Sequence, residues 1–599
     1  MQIKRHLVTT SDERSWKFDR PVLFLGEWCR LYDRSAIWMS MDAEVAAPFG
    51  LEVEKKWNNI NYVKALSDEL LIELIAALNA FHNTNHTPRY WNILLGHWLK
   101  RYVDVCFNRY FTIEQALKNY EITSATIFDS EDYSLARPDS LSAIWACNDD
   151  IWNSMLNARV FKHMDCKDVD LDIVSIESDG AVKQKQSFVT TKHRWSIKRL
   201  IKAIGYYILP RLSKNNDAFI VNSYLPLWQE IKLQFALWQC PQLWQSPPLK
   251  SVSIDLEIRR KFTINSECHA GFEKFMRVLL PDMIPVCYLE GFALLNQQVE
   301  SLPWPSKPKF IFTSNNFDTD EIFKAWSGIK VEQGVPYFTG QHGNYQACPR
   351  LLSSPPEVVS CDKFFTWGWT NGNVKNIPAF AFKMANRLRE ADPNGGLLLI
   401  ELSPPRQIYL YDAHYKYGIY QEQQFRFVEA LPKKIQKELI VRLSVGWRNY
   451  RWSADKRWSD RIPSVHLETG DAPIQALTAK SRLVVHSYDS TGILEGLASN
   501  TPTLCFWDGG LDHLLPSVKP YYELLRGAGI LADSPEHAAQ LVAQYWNNID
   551  RWWRSEYVQS ARRLFCEEYT RVEKHPVRTM KRLLATAVLN QNNLKKNNA

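Results

Sequence analysis

Short apolar runs that alternate with amphipathic helical stretches constrain the fold of this 599-residue chain most strongly. A strand-like run at Val22–Leu25 is followed by helical periodicity from Val63 to about Leu156, which we interpret as a helical insertion over residues 63–160. Such alternation predicts βαβ units with mostly parallel sheets, and hence an α/β fold. Further strand-like runs lie at Val169–Ile176, Ala218–Asn222, Lys309–Thr313, Val335–Thr339 and Lys363–Trp367.

A second series of the same kind begins after a boundary rich in Asn, Gly and Pro, at Trp369–Pro378 and Ala391–Gly396. Its strand-like runs are GLLLIEL, ELIVRLS, PSVHLE, SRLVVHS and PTLCFW. A chain of this length exceeds what one core usually supports. We therefore predict an N-terminal domain over residues 1–375, a C-terminal domain over residues 376–590, and a polar, disordered tail over residues 591–599. Two successive open α/β domains favour a ligand site in the cleft between them.

Composition argues against several functional classes. A net charge of +7 over this length is too mild to indicate a nucleic-acid partner. The 11 cysteines are scattered and form no CxxC pair, which fits a reducing cytosol and predicts neither a zinc site nor a disulfide framework. The N-terminus lacks the apolar core of a signal peptide, and no apolar run approaches the ~20 residues that span a bilayer. We expect a cytoplasmic protein with at most peripheral contact at the inner face of the membrane.

The segment SRLVVHSYDSTGILEGLASNTPTLCFWD, residues 481–508, carries the clearest chemical signal. An apolar strand ends in a turn rich in hydroxyl groups, a helix begins near Gly492, and a second strand follows. Hydroxyls and free backbone N–H groups at a helix N-terminus favour phosphate binding, and an acid one turn later can accept hydrogen bonds from a ribose. The alternative is a capped helix with nothing bound. The candidate donor-binding residues here are His486, Ser487, Ser490, Thr491 and Glu495.

This segment resembles the donor-nucleotide motif of GT-B glycosyltransferases, which have two Rossmann-like domains facing each other across a cleft. The wider chain resembles a family of surface-carbohydrate transferases known mainly from cell-envelope gene clusters. The matching stretches run in one order along the chain: FLGEWC (24–29), RYWNILLGHWL (89–99), NSYLP (222–226), GQHGNY (340–345), SPPRQIYLYD (403–412), HSYDSTGILEGLASNTPT (486–503) and AGIL (528–531).

The resemblance implies a function as well as a GT-B-like fold. Members of that family are associated with genes for ulosonic (nonulosonic) acids, which implies a CMP-activated donor, as in the Kdo transferases. The acceptor is then a cell-surface polysaccharide or lipopolysaccharide, so the expected partners are a nucleotide sugar and a glycan or glycolipid.

Several residues beyond the motif are candidates for catalysis. Gln341, His342 and Gly343 follow the strand VPYFT, and open α/β folds bind ligands at such strand ends. His342 is a candidate acid/base, although a lone histidine is more often structural. Glycosyl transfer also needs a carboxylate, as base or nucleophile, and Glu27 and Asp320 each follow a strand, as does Asp318. Acids in that position also cap helices, so their role stays open.

Arg406 and Arg442 follow the first two strands of the second domain, and their guanidinium groups match phosphate and carboxylate oxygens. Surface ion pairing is the alternative for both. No DxD-like motif is persuasive, so we expect neither a metal nor a cofactor, with arginines and a helix dipole in the cation's role. Two other functions stay open: a CDP-alcohol phosphotransferase of teichoic-acid type, and a catalytically inactive carbohydrate-binding scaffold.

Overall fold

The strands gather into three parallel sheets. The computed structural model describes residues 3–50, 52–130, 132–176, 212–264, 267, 269–344, 355–385, 391–406, 417–507 and 509–598. The strands are β1 Arg5–Val8, β2 Val22–Phe24, β3 Ala43–Val45, β4 Ile122–Asp129, β5 Asp170–Ser175, β6 Phe219–Val221, β7 Ile311–Thr313, β8 Tyr337–Gly340, β9 Lys363–Thr366, β10 Asn376–Pro378, β11 Gly396–Ile400, β12 Leu439–Arg442, β13 His466–Glu468, β14 Ser481–His486, β15 Thr503–Phe506 and β16 Leu531–Ala532.

The strand order defines each sheet. The N-terminal sheet is β3-β2-β1-β4-β5, the middle sheet is β10-β9-β8-β7-β6, and the C-terminal sheet is β13-β12-β11-β14-β15-β16. Every strand pair in the described ranges is parallel. The predicted α/β, GT-B-like class is therefore confirmed, with one difference. The strands before residue 379 form two sheets, where a single Rossmann-like unit was expected.

Helices connect and cover these sheets. They are α1 Ser35–Trp38, α2 Val53–His82, α3 Pro88–Asn119, α4 Ser140–Ala146, α5 Asp150–Met164, α6 Leu227–Ala236, α7 Leu256–Lys261, α8 Gly271–Met283, α9 Phe292–Glu300, α10 Glu321–Glu332, α11 Pro356–Ser360, α12 Tyr417–Ala430, α13 Lys433–Gln436, α14 Ala454–Arg461, α15 Ile474–Ala479, α16 Thr491–Ala498, α17 Lys519–Gly527, α18 Pro535–Tyr545, α19 Ile549–Trp553, α20 Glu556–Tyr569 and α21 Pro576–Asn598. Among the described helices, none combines the length and the apolar character needed to cross a bilayer.

The N-terminal sheet corrects the prediction of a helical insertion over residues 63–160. The helices α2 and α3 lie there, but so does β4, which pairs with β1 inside the sheet. Sequence patterning missed β4 because its buried face carries hydroxyl groups. The ring of His6 satisfies two of them, with Nδ1 2.8 Å from Ser124 Oγ and Nε2 3.0 Å from Thr126 Oγ1. The run at Val22–Leu25 contains β2, and β1 precedes it along the chain.

The C-terminal helix α21 crosses back to the middle sheet. The backbone returns by way of Arg571, which exchanges hydrogen bonds with Trp367 and Ala381, and α21 then packs against α6. The helix continues through most of the tail that was predicted to be disordered. Residues 577–598 contain neither Gly nor Pro, so no residue in that stretch breaks the helix.

The N-terminal and C-terminal sheets meet at the carboxyl ends of their strands. Tyr32 donates a hydrogen bond to Asp460 across 2.9 Å, and Ser453 donates to Asp33 across 2.8 Å. The loop after β8 of the middle sheet contacts the turn after β14, where Asn344 donates to Asp489. Loops from both other sheets thus contact the C-terminal sheet, and we call this region the junction.

Candidate functional site

The C-terminal sheet has the strand order of a dinucleotide-binding Rossmann sheet, with its order reversing between β11 and β14. Ligands of such sheets bind outside the carboxyl ends of the strands at this reversal. A cavity of about 420 Å³ begins there, at Ile400 and His486, and runs along α16 to Ser499. The sequence motif at residues 486–495 and the topology therefore point to the same place.

Three of the predicted donor-binding residues line this cavity: His486, Ser490 and Glu495. His486 Nδ1 lies 3.3 Å from Ser490 Oγ, and burial lowers the pKa of His486 to about 4, so the ring is neutral near pH 7. Ser490 occupies the N-cap position of α16, but its side chain makes no cap hydrogen bond. The expectation of a plain helix cap therefore does not account for this serine.

Ser487 and Thr491 make contacts of a different kind. Ser487 Oγ donates to the carbonyl of Ile400 across 3.0 Å and lies 2.8 Å from the hydroxyl of Tyr420, which holds the turn to β11. Thr491 Oγ1 accepts a hydrogen bond from the backbone N–H of Asn344 across 3.2 Å. Thr491 thus connects the donor-side helix to the loop after β8.

Asn344 and Asp489 strengthen this connection between the middle and C-terminal sheets. Asn344 Nδ2 donates to Asp489 Oδ1 across 2.6 Å. The same carboxylate accepts from Tyr522 across 2.9 Å and lies 2.8 Å from His513 Nε2. Sequence reasoning gave neither Asn344 nor Asp489 a role. Their only signal was that each lies in a polar loop directly after a buried strand.

The loop after β8 contains the predicted residues Gln341, His342 and Gly343. The side chain of Gln341 is buried and bonds to its own loop and to the segment after β9: Nε2 donates to the carbonyl of Gly343 across 2.9 Å, and Oε1 accepts from Trp367 and Trp369 at 2.8 Å each. Gln341 therefore shapes the loop, and its role in donor binding stays a prediction.

His342 lies beside an acidic group. Burial lowers the pKa of His342 to about 4, although the nearby carboxylate of Asp318 opposes this shift. Its ring lies 6.0 Å from the rings of Tyr224 and Phe317, measured between centroids. An imidazole that is neutral near pH 7 is able to accept a proton, so this protonation state suits a base more than an acid.

Two side chains of α3 hold the carboxylate of Asp318 in this region. Its Oδ1 lies 2.7 Å from Arg101 Nη2 and 3.7 Å from His97 Nδ1, both supplied by α3. Burial alone would raise the pKa of Asp318, but the guanidinium of Arg101 beside it holds the pKa below its usual value. The carboxylate is therefore charged. Burial lowers the pKa of His97 itself to about 3.

The two carboxylates favoured by sequence have other partners. Asp320 caps α10 by accepting from Phe323 N across 3.0 Å, and it also accepts from Ser246 and Asn316. Burial raises the pKa of Asp320 despite these hydrogen bonds. Glu27 accepts from Arg30 at 2.7 and 2.8 Å. Neither contact tests a catalytic role, which stays a prediction for both.

Arg406 and Arg442 form internal ion pairs. Arg406 donates to Asp150 across 2.9 Å and to Ser11 across 2.6 Å, so it joins the two outer sheets. Arg442 Nε lies 2.7 Å from Glu468, and its Nη1 donates to a backbone carbonyl across 2.7 Å. Both side chains are buried. The described contacts thus favour ion pairing for these arginines, which sequence analysis had weighed against phosphate binding.

The cation that lines the cavity is Lys383, which sequence reasoning missed. It lies in the segment between β10 and β11, with Nζ 3.7 Å from Glu495 Oε1 and 4.6 Å from the centre of the Tyr224 ring. Lys383 thus lies between Glu495 of α16 and Tyr224, which follows β6 of the middle sheet. Nothing in its surrounding sequence, AFAFKMA, distinguishes it from an ordinary surface lysine.

Comparison with known proteins places the chain in a family. A family model described as LIC12162 family transferase matches residues 5–584. The chain belongs to this family. Family membership confirms the transferase part of the sequence-based resemblance, and the association with ulosonic-acid genes stays a prediction. A comparison with curated proteins finds no match.

Several solved structures are similar to this chain in part. MurG of Acinetobacter baumannii is 8% identical, with 62% of this chain and 99% of MurG covered at a TM-score of 0.32. The glycotransferase of kitacinnamycin is 12% identical, with 64% and 99% covered at 0.33. A variant of the wall teichoic acid polymerase TagF is 10% identical, with 48% and 75% covered at 0.28. These TM-scores are too low to carry an argument about function.

The stretches of the resemblance at residue 345 and residues 407–412 lie outside the described residues, and the structure says nothing of them.

Proposed function

We propose that this transferase is a glycosyltransferase that uses a nucleotide-sugar donor bound at the start of α16. The observation that carries the proposal is the cavity of about 420 Å³ at the strand reversal of a Rossmann sheet. Hydroxyl groups, a neutral histidine, an acid and a lysine line it. This set suits a sugar nucleotide, which presents hydroxyls for hydrogen bonding and a phosphate for the lysine and the helix N-terminus.

The donor in this proposal is a CMP-activated ulosonic acid, and the acceptor is a cell-surface polysaccharide or lipopolysaccharide. Support for the CMP-linked donor comes from the resemblance to the transferases associated with ulosonic-acid genes. Lys383 adds chemical support, because a CMP-ulosonate carries a phosphate and a carboxylate within reach of one cation. The proposal needs no metal ion, and metal independence stays a prediction.

The proposed reaction is a direct displacement at the anomeric carbon. The oxygen of an acceptor hydroxyl forms a bond to that carbon while the bond from the carbon to the phosphate oxygen breaks. The hydroxyl proton passes to neutral His342, and the nucleotide leaves as an anion beside Lys383. The charged carboxylate of Asp318 stabilises the imidazolium that forms. An enzyme that instead retains configuration needs a nucleophile, for which Glu27 and Asp320 stay the candidates.

A panel of nucleotides tests this proposal. CMP, UDP, GDP and CDP-glycerol are each added to the full chain, and the melting temperature is followed. A ligand at 100 times its dissociation constant adds ~2.7 kcal/mol of stability, which a melting scan detects. We expect stabilisation by CMP. Stabilisation by CDP-glycerol but not CMP would favour the teichoic-acid-type phosphotransferase, and no response to any nucleotide would favour the inactive scaffold.

A further inference from the structure

Helix α6 presents large apolar side chains to solvent. Leu227 is 53% exposed, Trp228 71%, Phe235 62% and Trp238 87%. We call these four residues the α6 patch. Trp228 and Phe235 are seven residues apart and therefore lie on one helix face, and Trp238 follows one turn later. Soluble proteins seldom leave several large aromatic side chains together in water unless the surface binds something.

Trp238 is the least expected member of the α6 patch. Its backbone has φ +62°, in the left-handed region that bulky residues rarely adopt. A tryptophan held there normally gains from packing, yet this side chain is almost fully exposed. The local conformation thus projects an indole ring outward from the end of α6, and no contact within the described residues compensates for its exposure.

The exposed charges on α6 and on the helix packed against it, α21, are positive. Glu230, the one acid of α6, turns inward and accepts a hydrogen bond from Ser223. Lys232 is exposed on the same helix, and α21 packs against it. Residues 576–598 contain no acid, and their exposed cations include Arg578, Lys581 and Arg582. None of these four cations forms an ion pair within the residues that the structure describes.

We propose that the α6 patch and its cations bind the surface of an anionic lipid bilayer. Tryptophan and phenylalanine insert at the boundary between head groups and acyl chains, while lysine and arginine pair with anionic head groups. A protein partner that matched these cations would need acidic side chains, and a second copy of α6 and α21 would bring further cations against them. The combination of exposed indoles with unpaired positive charge therefore favours lipid. It makes the chain a peripheral membrane protein.

Vesicle flotation tests this inference on the full chain, without reference to nucleotide or sugar. Vesicles of phosphatidylcholine mixed with phosphatidylglycerol are compared with vesicles of phosphatidylcholine alone. We expect binding to the anionic vesicles that weakens as salt is added. Trp228→Ser combined with Trp238→Ser should lower the partition coefficient by about tenfold or more, and Lys232→Glu by several-fold.

The matched control is Phe18→Ser, which removes an aromatic ring that is 66% exposed in the loop between β1 and β2. It should leave binding unchanged, and all variants should melt at the wild-type temperature because the altered side chains are exposed. The inference is overturned if the wild type does not float with anionic vesicles or if the double variant floats as well as wild type. It is also overturned if sedimentation shows that the double variant only disrupts a dimer.

Discussion

Gly492→Ala tests the proposed donor cavity most directly. Gly492 is the second residue of α16, and it lines the cavity beside His486. An added Cβ would lie 2.6 Å from His486 Cε1 and 3.2 Å from both His486 Nδ1 and Ser490 Oγ. Carbon atoms that are not bonded do not approach to 2.6 Å, so the imidazole has to move. His486 is 3% exposed, which leaves it little room except the cavity itself.

The effect on stability should be limited because opposing changes partly cancel. Alanine improves helix propensity by up to ~1 kcal/mol over glycine. A displaced imidazole costs about 0.5–1.5 kcal/mol in rotamer strain, and losing its hydrogen bond to Ser490 costs a further ~0.5–1.5 kcal/mol. We therefore expect a fold destabilised by at most ~2 kcal/mol. The displaced ring would nevertheless occupy space that a nucleotide needs.

Nucleotide binding should weaken by more than the fold is destabilised. Losing one charge-assisted hydrogen bond to the donor costs about 1.5–3 kcal/mol, which corresponds to roughly a 10- to 150-fold rise in Kd. Titration calorimetry with CMP measures this change. Gly418→Ala is the matched control, because a Cβ added there meets nothing within 4 Å. If Gly492→Ala binds CMP as tightly as the control does, the cavity beside α16 is not the nucleotide site.

Three further predictions follow from the same geometry. Ser490→Ala combined with Thr491→Ala should weaken CMP binding by about 1.5–3 kcal/mol per lost charge-assisted bond, with little change in melting temperature; unchanged affinity would contradict the site. Asp318→Asn should lower the rate of nucleotide release from the donor by about 10²–10⁴-fold. If Glu27→Gln or Asp320→Asn alone lowers the rate by a comparable factor, that residue is the catalytic carboxylate. The free energy of unfolding should fall as the pH drops from 6.5 towards 4. Histidines whose pKa is lowered by burial are neutral in the folded chain in this range but take up protons when the chain unfolds. A melting temperature that does not change with pH in this range would refute this prediction. These histidines are His6, His97, His342 and His486.

Apolar patterning was sufficient to predict most of the fold. Strands such as β11 and β14 are buried on both faces, so their sequences GLLLI and SRLVVH contain the apolar runs that were read as strands. Patterning failed at β4, where hydroxyls that bond His6 replaced apolar residues on the buried face. It also did not indicate that the strands before residue 379 divide between two sheets, because pairing depends on contacts that periodicity does not encode.

The sequence predicted those residues of the candidate site that lie close together along the chain. His486, Ser490 and Glu495 lie on one strand–turn–helix unit, and the motif found them. Contacts between distant segments were not predictable: Asn344 meets Asp489 across 145 residues of sequence. The residue type of Arg406 suggested phosphate binding, because a guanidinium suits phosphate. In the structure this side chain pairs with Asp150, which is 256 residues away in the sequence and could not be foreseen as its partner.

The return of α21 to α6 has a consequence for biosynthesis. The last strand of the middle sheet ends at Pro378, and α21 begins only at Pro576. At ribosomal speeds of about 5–20 residues per second, roughly 10–40 seconds separate the synthesis of these two segments. During that interval the middle sheet lacks one of its covering helices, and the surface of α6 that α21 later covers stays open to chaperones. The middle sheet therefore gains this covering helix only after α21 has left the ribosome.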